Sequence, residues 1–163
     1  MKSFTRIFLN IPIVVIVFIS FCTCKKEKDP EKTNYIEAKI NGALWTPSSV
    51  QCVLLQDDTY HFRIVNFTAT YGGKVITIEA SDNSTGTSIN TGTRSFEAGS
   101  AYFIYSTSGT PYKTTSGSIN ISDNDPSAQT VSGSFSFTAE DDGSLITVAD
   151  GKFEKVKYTR KVQ

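Results

Sequence analysis

From Tyr35 onward, apolar and polar residues alternate with a period of two, and clusters of Gly, Asn, Asp and Ser separate the apolar runs. No window repeats its apolar residues at helical spacing, so the pattern predicts strands throughout. Tyr35 to Ile40 leads into Asn41-Gly42, a pair suited to the two left-handed residues of a tight hairpin turn, and Ala43 to Thr46 returns until Pro47 stops it. Val50 to Leu55 is a more fully apolar strand, closed by Asp57-Asp58.

Between Tyr60 and Tyr71 the phase slips. Tyr60, Phe62 and Ile64 share one face and leave His61 and Arg63 on the other, whereas Val65, Phe67, Ala69 and Tyr71 carry the apolar set further on. A one-residue slip turns every side chain over, so this predicts a β-bulge or bend near Ile64 and Val65. Gly72-Gly73 then turns the chain, and Ile76, Ile78 and Ala80 face the core.

Ser81 to Gly92 is polar and reads as a long loop with one short crossing at Ile89. Arg94 to Glu97, Ala101 to Ser106 and Tyr112 to Ser122 follow as strands, the last with Ile119 and Ile121 in and Ser118, Asn120 and Ser122 out. Val131 to Ala139 is the best-patterned segment, with Phe135 and Phe137 in and Ser132, Ser134, Ser136 and Thr138 out. Asp141 to Ser144 forms a hairpin turn, Leu145 to Val148 pairs back, Asp150-Gly151 turns again, and Phe153 to Val162 closes the domain. About ten strands at roughly ten-residue spacing point to an all-β fold, an antiparallel sandwich or barrel-like meander.

The amino-terminal segment has a different pattern. Lys2 and Arg6 precede an apolar run from Ile11 to Phe21, about half of the roughly 20 residues that a spanning helix needs. Basic start, short apolar run and charged exit are the parts of a secretory signal. The run ends in Phe21-Cys22-Thr23-Cys24, which resembles the lipobox of bacterial lipoproteins. That resemblance implies cleavage before a cysteine that becomes the acylated first residue of the mature chain. Cys24, preceded by the small Thr23, fits better than Cys22, which follows the bulky Phe21. Residues 1–23 are then a signal peptide, residues 24–34 a charged tether without a core-forming side chain, and residues 35–163 one β-domain.

Charge and cysteine content narrow the picture. Of 16 basic and 16 acidic residues, Lys2 and Arg6 leave with the signal, so the mature chain carries 14 against 16, a net charge of −2. That balance argues against a nucleic-acid partner. Cys52 is the only thiol left beside Cys24 and cannot close an internal disulfide, so it reads as a small apolar core residue. A nucleophilic cysteine would need a histidine, and His61 is the only one.

Candidate chemistry is sparse. Asp123-Asn124-Asp125 begins like a calcium loop, but Ala128 stands where its glycine is due, and a tight turn explains the residues more simply. Asp57-Asp58 and Asp141-Asp142 invite a two-carboxylate reading, yet adjacent acids on a strand point to opposite faces. No phosphate loop, zinc spacing or serine elbow is present. We expect no enzyme activity, no cofactor and no metal. Trp45, Tyr102, Tyr105 and Tyr112 are the residues that could form an aromatic platform for a glycan or small ligand; the plainer reading places them in the core.

The segments Tyr35 to Thr46, Lys74 to Ala80 and Val131 to Ala139, with Asp150 to Phe153 after them, resemble small lipoproteins of Bacteroidetes whose shared domain has no assigned function. The resemblance implies an all-β fold and attachment through Cys24 to the outer membrane, facing the periplasm or the cell surface. It assigns no catalytic or binding residue. The expected protein is a lipid-anchored, non-catalytic domain with a structural or interaction role; the alternative is a glycan- or small-ligand-binding module on the same anchor.

Overall fold

The computed structural model describes residues 32–163 apart from His61, Thr85, Thr87, Ser108 and Gly109. The expected signal segment, both candidate anchor cysteines and the sole histidine therefore lie outside the described residues. Eleven strands follow one another without a helix among the described residues: β1 (Tyr35–Ile40), β2 (Ala43–Trp45), β3 (Ser49–Asp57), β4 (Phe62–Tyr71), β5 (Lys74–Asp82), β6 (Gly92–Ser95), β7 (Ala101–Thr107), β8 (Thr110–Asp125), β9 (Thr130–Asp141), β10 (Ser144–Lys157) and β11 (Thr159–Val162).

They form one open sheet in the order β11-β3-β4-β5-β7-β8-β9-β10-β1-β2, with β6 added to β8. Two long strands belong to both halves of it. The first residues of β8, Thr110 to Tyr112, pair with β7, and from Lys113 onward β8 pairs with β9. At the far side, β10 runs through Tyr158 into β11, which pairs with β3. Because β10 carries its direction across this corner, β11 meets β3 in parallel, so the sheet is mixed rather than wholly antiparallel. The inner faces meet through aromatic rings: Phe67 on β4 lies 4.8 Å from Phe153 on β10, and Phe103 on β7 stacks at 5.0 Å on Phe137 of β9. The arrangement is one folded mixed sheet whose two halves share β8 and the β10–β11 run as corners.

Most of the alternation holds. Asn41 and Gly42 have positive φ (49° and 81°) in the β1–β2 hairpin, as Asn-Gly favours. Ile89 is buried and plugs the core from its loop. Two expectations fail. Strand β4 has no bulge: its register with both β3 and β5 is uninterrupted from Arg63 to Thr70. The apparent slip arises because Arg63, 1% exposed, occupies the inward row with Val65, Phe67 and Ala69. Asp150-Gly151 is no turn either. It is a bulge within β10, where pairing to β9 shifts between Val148 and Gly151 and then continues; Asp150 takes up the extra residue at φ 51°.

Arg63 is satisfied where it sits. Its guanidinium donates to the carbonyls of Phe62 (2.8 Å), Asp57 (3.1 Å) and Gly86, and to the Asp58 carboxylate (2.8 Å). Arg94 does similar work nearby, donating to Ser81 O (3.0 Å), Gly92 O (2.9 Å), Asn90 O (2.7 Å) and the Asp82 carboxylate (2.7 Å). Two buried cations thus fasten the polar segment after β5 by its backbone carbonyls.

Candidate functional site

The four aromatic candidates do not assemble. Trp45 is 4% exposed at the end of β2, and its indole N–H has no partner among the described residues. Tyr105 is 2% exposed and meets Tyr112 edge-on at 5.2 Å, the two being direct cross-strand partners on the inner face. Burial and the neighbouring Tyr112 push the Tyr105 hydroxyl's pKa up. Tyr102 lies an odd number of residues away, so it faces outward and is exposed beside Phe96 at 6.2 Å. A shared exposed platform is therefore a correction to the sequence reading: the pleat sends Tyr102 to one face and the core claims Trp45 and Tyr105.

The acidic candidates are turn residues. Asp57 Oδ1 accepts the Thr59 and Tyr60 amides, both at 2.9 Å, and Asp58 holds Arg63. Asp125 Oδ1 accepts the Ser127 (2.8 Å) and Ala128 (2.9 Å) amides, while Asn124 donates to Ile89 O at 2.7 Å. Asp141 ends β9 and Asp142, at φ 45°, lies in the β9–β10 turn. No group of His, Cys, Asp and Glu among the described residues is arranged to hold a metal. Cys52 is buried, and desolvation pushes its thiol pKa far above the ordinary range, the opposite of an activated nucleophile.

A concavity lies elsewhere, on the outer face of the half formed by β6, β8, β9, β10 and β1, with Leu44 of β2 at its margin. It is a groove of about 830 Å³. Two cross-strand rows build its polar lining. One runs Thr93, Asn120, Ser134, Lys152, Glu37 over five strands, each residue the direct register partner of the next. Beside it, Ser118 faces Ser136, and the Asp150 bulge brings that carboxylate 2.9 Å from the Lys39 ammonium. This hydrogen bond, with Coulombic attraction behind it, lowers the Asp150 pKa and raises that of Lys39.

The floor is shallow in side chain because its outward residues Ser118, Ser134 and Ser136 are small, and Gly133 beside them carries no side chain at all. A Cβ on Gly133 would stand 2.0 Å from Asn120 O and 2.5 Å from the Phe153 ring; only glycine lets that ring lie against the backbone of β9. The groove was missed in the sequence because its serines read as an ordinary solvated face. The available signal was that the Ser118-Asn120 and Ser134-Ser136 stretches put no long charged side chain outward, unlike a typical exposed strand.

These residues define an all-β domain with an outer groove lined by serine, asparagine and charged side chains together with Leu44 and Ala149. A family model described as Domain of unknown function (DUF6252) matches residues 32–157, and the chain belongs to that family. No curated protein and no solved structure matches the chain.

Proposed function

We propose that this protein is a lipid-anchored lipoprotein of the outer envelope whose β-domain works by non-catalytic interaction. The observation that carries this reading is the leader: Lys2 and Arg6, the apolar run from Ile11 to Phe21, Thr23-Cys24, and the charged residues 25–34 before the first strand. Acyl chains contribute roughly 0.8 kcal/mol per buried methylene, so a multiply acylated Cys24 holds a membrane firmly. The likeness to Bacteroidetes lipoproteins supports the same placement. In cells, Cys24→Ser releases the protein from the membrane fraction and abolishes acyl labelling; labelling that persists moves the anchor to Cys22, and a wild-type chain without acyl label has no such anchor.

A second reading, a ligand-binding module on the same anchor, is favoured by the groove. Its floor presents side chains that can both donate and accept hydrogen bonds, and its volume falls within the span usual for ligand sites. Direct binding measurements on the folded full chain test it.

A further inference from the structure

We propose that the groove over β6, β8, β9, β10 and β1 binds a neutral polyhydroxylated chain, an oligosaccharide, through Ser118, Asn120, Ser134 and Ser136. This rests on the binding-module reading above. The hydroxyls of Ser118, Ser134 and Ser136 make no hydrogen bond to another described residue, whereas neighbouring hydroxyls such as Ser116 and Thr138 are paired at 2.7 Å. Asn120 spends only its Oδ1, on Thr93 at 3.3 Å, and keeps both amide hydrogens. A ligand there meets free groups of both polarities, as a sugar hydroxyl requires.

Charge and shape narrow the class. Glu37 and Asp150 balance Lys39 and Lys152 along the walls, so the groove offers no net charge to a phosphate, a uronate or a cation. Five strands at ~4.8 Å spacing make it about 19 Å long, suited to several linked rings rather than one small molecule. The backbone of β8, β9 and β10 beneath the floor is paired on both sides, so an extended peptide could add a strand only at the groove's ends, along β6 or β2, and not across the serines.

The test uses the full chain in detergent against an array of neutral hexose and N-acetylhexosamine oligosaccharides, matched uronate and sulfate members, and extended peptides, with calorimetry on any hit. We expect a neutral oligosaccharide to bind, with Ser118→Val/Ser134→Val weakening it by about 10-fold or more. Ser136→Arg should abolish binding, and Tyr102→Ala, outside the groove, should leave it unchanged. All four positions are at least partly exposed, and thermal melts verify that each variant folds. Binding confined to charged glycans or peptides overturns the ligand class. Neutral-sugar binding that survives Ser136→Arg and fails in Tyr102→Ala overturns the groove but keeps the binding module. No binding by a folded wild-type chain overturns both.

Discussion

Replacing Arg63 by leucine makes the strand pattern cleaner and should make the protein worse. On paper a leucine at this position would extend the inward apolar row of Val65, Phe67 and Ala69, and its burial would contribute about 2 kcal/mol. The structure sets the opposing terms. The guanidinium, 1% exposed, is the shared donor to three carbonyls, those of Phe62, Asp57 and Gly86. Left without it, the half-buried Phe62 and Asp57 carbonyls cost about 1–1.5 kcal/mol each, some 2–3 kcal/mol together, while the exposed Gly86 returns to water. The Asp58 carboxylate is 60% exposed and returns to water, so its loss adds at most about 1 kcal/mol. The net destabilisation is about 1–2 kcal/mol, or roughly 5 °C in melting temperature for a domain of this size. Thermal unfolding followed by circular dichroism measures it, and limited proteolysis around Gly86 should quicken in parallel. A leucine variant as stable as the parent would refute the claim that this cation holds the loop.

Three further outcomes follow from the packing and charge. Gly133→Ala should cost about 3 kcal/mol in denaturant unfolding, because its Cβ would stand 2.0 Å from Asn120 O on the paired strand, while the neighbouring exposed Ser134→Ala should stay within about 0.5 kcal/mol. The Cys52 thiol, 6% exposed with a raised pKa, should react with a disulfide reagent only as fast as the domain opens; rapid labelling under native conditions would contradict its burial. Asp150 has a lowered pKa in the folded state, so its pairing with Lys39 stabilises above the unfolded value of about 3.9 and is lost as pH falls through the folded one. Lys39 is raised, so on the alkaline side the same contribution fades only as pH rises past about 10.4. The stability difference between wild type and Asp150→Asn should therefore be flat from about pH 5 to 9 and shrink below about pH 4; a difference that grows in acid would reverse the assigned sign.

What the sequence disclosed depended on whether a residue obeyed its local rule. Asn41-Gly42 and the Val131–Ala139 alternation did, and the β1–β2 hairpin and β9 stand where they point. Arg63 broke the rule because its partners come from Asp57, Asp58 and Gly86, and no local window shows that a cation has distant carbonyls to satisfy. Asp150-Gly151 has turn chemistry, but β9 on one side and β1 on the other hold β10 straight through it, so the same residues make a bulge. The groove lay further out of reach, since it exists only when Thr93, Asn120, Ser134, Lys152 and Glu37 fall into one row through four separate pairings. The aromatics misled for the converse reason: residue type suggests stacking, and the pleat decides which face is available.

The shared strand β10–β11 also dictates timing. Tyr35 at the start of β1 pairs with Glu154, and Thr159 to Val162 complete the outer edge of β3. The earliest strand therefore waits for the latest, and neither half can seal its core while the final stretch of chain is missing. Such long-range pairing slows folding relative to folds rich in local contacts. The domain stays open until β10 and β11 have emerged, so any process that must handle it as an extended thread has a window in which to act.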